Sequence, residues 1–144
     1  MPSLAVSIFL IFAISYSAAS SLQEALSLVG GKFEHGLNFD EAKDSEGIKR
    51  RLDSAKDDTW QFFYFCETGK NKKICGSWVD AKGNKIKGAN NNVKRTKESA
   101  IISKLTVEDA GHYTRVPENP DVNQAYLERV HLNVQAPPPP PPKY

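Results

Sequence analysis

Cysteine, charge of a single sign and long apolar runs are all scarce in this 144-residue chain, and each scarcity closes off a class of function. The two cysteines, Cys66 and Cys75, lack C-x-x-C spacing, and His35, His112 and His131 lack H-x-x-x-H spacing, so no metal site is expected. No serine sits in G-x-S-x-G, and Asp40, Glu41, Asp57 and Asp58 read as a wet mixed-charge segment rather than a paired acid and base. No catalytic residue and no cofactor are therefore expected. The formal net charge is +2, too small to imply nucleic acid as a partner. No N-x-[ST] sequon is present, so N-linked sugar should not shield any surface.

The one long apolar run, Leu4 to Ile14 in MPSLAVSIFLIFAISYSAAS, is short for a bilayer span and ends in small residues at Ser17, Ala18 and Ala19. It reads as a secretory signal peptide over 1–19, leaving a soluble, extracellular product with no integral membrane segment. The small net charge hides a pattern. Residues 67–104 hold ten Lys or Arg against Glu67, Asp80 and Glu98, a local balance of +7. Lys70, Lys72, Lys73, Lys82, Lys85 and Lys87 either form a solvated rim that keeps strand edges from pairing or meet a polyanion. The proline-rich tail, 137–144, lacks the amide donors for helix or sheet and reads as an extended spacer.

From Thr59 onward, strands are expected. TWQFFYFC (59–66) is dense in aromatics, ICGSWV (74–79) precedes the turn DAKGN, and NVKRT, SAIISKLTV and AYLERVHLNV (125–134) follow. Short strands between turn signals indicate an all-β sandwich or barrel. In residues 20–58, DEAKDSEGIKRRLDSAKDD is compatible with a short helix, a loop or an edge strand.

Over about Trp60 to Pro138 the chain resembles an immunoglobulin-like domain of the intermediate set. Cys66 falls where the second strand's cysteine would be, and Trp78 twelve positions later opens a phrase like the family's tryptophan and turn. SAIISKLTVEDAGHYT is similar to the fifth strand, the Asp-x-Gly-x-Tyr corner and the start of the sixth, and HLNVQAPP to the last strand. The resemblance implies an antiparallel β-sandwich over 55–136 preceded by an irregular extension over 20–54 with a possible first strand. It implies a structural core at Trp78, Asp109, Gly111 and Tyr113, with Tyr113 returning its hydroxyl to backbone near Asp109 and Arg95 a candidate donor to Asp109. It also puts Trp60, Phe62, Tyr64 and Cys66 on the interior face.

One departure matters. Arg115 stands where the sixth strand's cysteine belongs, so the inter-sheet bridge cannot form. Cys66 is left either to pair with Cys75 or to remain free or link between chains; the short bridge is the expectation for a secreted chain. Arg115 should point outward or reach a carboxylate. Phe63 and Phe65, on the opposite face from Trp60, are either covered by residues 22–39 or exposed to a partner. The implied function is a secreted immunoglobulin-like module for extracellular protein–protein interaction, self-association included. The alternative is a small effector or inhibitor whose basic loop engages a polyanion, an enzyme or a membrane surface.

Overall fold

Segments rich in aromatic and β-branched residues, separated by Gly, Asn and Asp turns, form nine strands among the described residues. The structure is a computed structural model that describes residues 23–37, 45–69 and 71–143; the expected signal peptide lies outside them. In chain order the strands are β1 (Gln23–Leu28), β2 (Phe33–Gly36), β3 (Gly47–Leu52), β4 (Gln61–Tyr64), β5 (Trp78–Val79), β6 (Val93–Arg95), β7 (Ser99–Ile102), β8 (Gly111–Val116) and β9 (Val130–Gln135). A short helix, α1 (Val122–Glu128), joins β8 to β9.

The larger sheet has the order β1-β9-β8-β3-β4-β5 and the smaller β2-β7-β6. All pairings are antiparallel except β1 with β9, which run parallel. Two packed sheets in this order, with β4 and β5 added to the sheet of β3, β8 and β9, form an immunoglobulin-like sandwich in its nine-strand, variable-type arrangement. This strand order departs from the intermediate set that the sequence suggested, because β4 and β5 extend the larger sheet beyond β3.

The expected domain boundary at residue 55 moves toward the N-terminus. β1, β2 and β3, all within 20–54, are integral strands, and β3 lies between β4 and β8 in the larger sheet. The segment that read as helix, loop or edge strand thus supplies a central strand. Its inward residues Ile48 and Arg50 and its outward residues Lys49 and Arg51 alternate as a strand requires. At the other end, AYLERVHLNV divides. Asp121 caps α1 by accepting the amides of Asn123 and Gln124, helix persists through Glu128, and strand begins only at Val130.

The core is aromatic. Phe33, Phe63, Phe65, Trp78 and Tyr113 pack with Leu37, Ile48, Ile102, Leu105 and Leu132. Trp78 meets Phe63 edge-on at 5.5 Å and Tyr113 at 6.3 Å between ring centroids. The corner forms as the resemblance implied: the Tyr113 hydroxyl donates to the Asp109 carbonyl oxygen at 2.5 Å. The donor to the buried Asp109 carboxylate is Arg50 at 3.0 Å, in place of Arg95, which lies over the Phe65 ring. Asn90 and the Thr106 amide complete that carboxylate's bonding. The Arg50 guanidinium also stacks 4.0 Å from the Trp78 ring, so a cation from β3 and an indole from β5 together fill the centre. Gly111 is required by a close approach: a Cβ there would strike the Arg51 carbonyl oxygen and Leu52 Cα of β3.

Candidate functional site

Alternation along β4 decides which aromatics face solvent. Phe63 and Phe65 are 4% and 2% exposed, whereas Trp60, Phe62 and Tyr64 are half-buried on the other face. The expected assignment of faces is therefore inverted. Phe63 pairs with Ile48 and Trp78 in the sheet and fills the sandwich, so Phe63 and Phe65 cannot form an exposed binding patch. The outward row is Trp60, Phe62 and Tyr64, with Phe62 and Tyr64 stacked at 6.2 Å.

Cations ring the row's first member. Lys49, Arg51 and Arg129 stand 4.6, 5.4 and 5.3 Å from the Trp60 ring. Glu118 accepts from Lys49 at 3.2 Å and from Arg129 at 2.9 Å, which holds two of these cations in place. Beside them, Thr59, Trp60, Phe62, Asp80, Ala81, Lys82 and Asn84 line a groove of about 420 Å³. The arrangement offers flat apolar area with fixed positive charge at its rim, which suits a protein surface.

Farther across the same sheet, β8 and β9 place His112 opposite His131, their ring centroids 4.6 Å apart. His131 Nδ1 is 3.0 Å from Glu24 of β1, and Nε2 is 2.8 Å from Asp53 just past β3. Burial alone would lower the His131 pKa, but its hydrogen bonds to Asp53 and Glu24 prevail and raise it. The His112 pKa is lowered by burial and by the neighbouring His131. Sequence reading missed this cluster because its members are separated along the chain and only strand register joins them.

The bridge site holds polar groups in place of sulfur. Arg115 is 2% exposed, and its Nε donates to Glu128 of α1 at 3.1 Å, the carboxylate branch of the expectation. From the facing sheet, His35 of β2 is also 2% exposed, with neither ring nitrogen hydrogen-bonded. Cys66 does not lie in the second strand: it follows β4 and is bridged to Cys75, with Cα atoms 5.1 Å apart. Trp78 is the core tryptophan by position in space, but it comes from β5 on the far side of β4. Lys72, Lys73, Lys82, Lys85 and Lys87 are all exposed on loops flanking β5, and Lys70 lies outside the described residues.

With this geometry the fold class is defined: the described residues form an immunoglobulin-like β-sandwich. No protein-family model and no curated protein matches it. Among solved structures it is similar to CD84, of the SLAM family, at 14% identity and a TM-score of 0.45, covering 81% of this chain and 99% of that one. It is similar to the extracellular domain of the voltage-gated sodium channel beta4 subunit at 13% and 0.44, covering 87% and 94%. The second immunoglobulin domain of the mouse polymeric immunoglobulin receptor matches at 14% and 0.42, covering 83% and 99%.

Proposed function

We propose that this chain is a secreted binding module that engages another protein through the outer face of its larger sheet. The observation that carries the reading is the surplus of aromatics on β4 and the residues flanking it. Phe63 and Phe65 already fill the core from one face, yet Trp60, Phe62 and Tyr64 occupy the other, where folding needs none of them. Tyrosine, tryptophan and arginine are the residue types that dominate binding energy at protein interfaces. The Cys66–Cys75 disulfide supports an oxidising, extracellular setting. No helix among the described residues is long and apolar enough to cross a membrane. A second copy of the chain is one partner this face could take.

The test compares Phe62→Ser and Tyr64→Ser with Phe63→Ala. Self-association is read by sedimentation, and binding to other proteins by a screen of extracellular ectodomains. The outer-face variants should lose association by tenfold or more, a change of about 1.4 kcal/mol, while melting like wild type. Phe63→Ala should instead lose about 3–5 kcal/mol of stability. Unchanged binding by both serine variants, or no binding by wild type to itself or any ectodomain, would overturn the reading.

A further inference from the structure

One row of side chains crosses three adjacent strands of the outer face: Glu24 is the register partner of His131, and His131 of His112. Asp53 joins the row from the end of β3, fixed there by its amide's bond to the Ala110 carbonyl oxygen at 2.9 Å. Ligand atoms of Asp53, His112 and His131 all lie within 4.8 Å of one another. We propose that His112, His131 and Asp53 bind a divalent transition-metal ion of the zinc class, with Glu24 as a positioning residue behind His131.

The donor set selects the ion. Two imidazole nitrogens and one carboxylate oxygen suit zinc and its neighbours, whereas calcium and magnesium take oxygen ligands. Tetrahedral zinc with bonds of about 2.0–2.2 Å sets its donors roughly 3.3–3.6 Å apart. Rotation of the exposed Asp53 side chain would widen its 2.8 Å contact with His131, and rotation of the half-buried His112 would bring the third donor in. Glu24 accepts the Nδ1 proton of His131, leaving Nε2, the nitrogen already facing Asp53, to bind the metal. A carboxylate behind a ligating imidazole is the usual support of a zinc site. A surface ion pair accounts for His131 between its two carboxylates, but not for a second imidazole set beside it at 4.6 Å. Charge favours a cation, since Glu24 and Asp53 outweigh Arg51, which also lies 3.8 Å from Asp58. With Asp53 exposed, water would supply the fourth ligand. Metal there would lace β8, β9 and the end of β3 together in a domain whose inter-sheet disulfide is missing.

Titration calorimetry of the metal-stripped, disulfide-bonded protein with Zn²⁺ alone should give one saturable site per chain. His112→Ala and His131→Ala should each weaken it by at least about tenfold, and Glu24→Gln by about tenfold. Histidine ring resonances, followed on the wild-type protein during the titration, should shift for His112 and His131 and stay fixed for the buried His35. Absence of saturable binding, full affinity in both alanine variants, or a shift confined to His35 would overturn the proposal. The resonance mapping decides the matter even where a variant fails to fold.

Discussion

His35 is a polar ring sealed in the sandwich with no partner for either nitrogen, and that makes it the residue through which acid should act. Burial, opposed by the charge of Glu128 and reinforced by that of Arg115, brings its pKa down to about 4 from an ordinary 6.5. Above pH 6.5 the ring is neutral in both folded and unfolded chains and costs no linkage energy. Between 6.5 and 4 the unfolded chain takes up a proton that the native one refuses, so stability falls as pH falls, by about 1.4 kcal/mol per unit. Denaturant unfolding at pH 7 and pH 4.5 should show a loss from this residue of roughly 2–3 kcal/mol, absent in His35→Leu. At pH 7 the leucine variant should be at least as stable as wild type, because it removes an unsatisfied buried group. Equal acid sensitivity in the two proteins would show that other groups govern the limb. Arg115 is bound more tightly into the design. Its guanidinium is tolerable in the interior because α1 delivers Glu128 to it and Asn119 bonds that carboxylate's other oxygen.

At the scale of elements, the Cys66–Cys75 bridge anchors the connection between β4 and β5, and β5 is only two residues long. Closing a loop of nine residues is worth about 2.5 kcal/mol in the chain-entropy model. Replacing both cysteines by serine should cost about that amount and raise hydrogen exchange first in residues 71–79, with β7 and β8 still protected. Uniform loss of protection would mean that the bridge supports the whole sandwich. The elements also show where the sequence was legible. The corner Asp109, Gly111, Tyr113 was readable because its residue types are demanded locally by a turn, a close backbone approach and a hydroxyl bond, whereas the last strand was read correctly only from Val130 onward. Cys66 and Trp78 imitated the spacing of a second-strand cysteine and third-strand tryptophan while belonging to β4's end and β5. On β4, aromatics occupy both faces, so period-two alternation carries no polarity; only cover by Ile48 and Trp78 distinguishes Phe63 from Phe62. β2 is four residues with a central histidine and a terminal glycine, which leaves almost no strand signature. The outer-face row was invisible to sequence reading because its members come from β1, β8, β9 and the turn just past β3.

Across the whole molecule, charge is sorted by edge. β1 and β5 are the opposite edges of the larger sheet, Glu24 lies on the first, and the exposed Lys72, Lys73, Lys82, Lys85 and Lys87 flank the second. Two functions compete for those lysines: a rim that discourages edge-to-edge pairing, and a site for a polyanion. The fold favours the rim. A two-residue edge strand offers little backbone to protect, but the loops on either side of it are long and carry their lysines on separate turns, and Lys82 and Lys87 line different concavities rather than one shared one. Attraction spread over such loops acts through solvent and is screened over about 8 Å at 0.15 M ionic strength. Heparin chromatography should therefore retain the protein at low salt and release it near physiological salt, and changing Lys72, Lys73, Lys82 and Lys85 to Gln should abolish even the low-salt retention. Retention well above physiological salt would reveal a built polyanion site at the β5 edge. In that event the loops around the disulfide, rather than the aromatic face, would be the first place to look for a ligand.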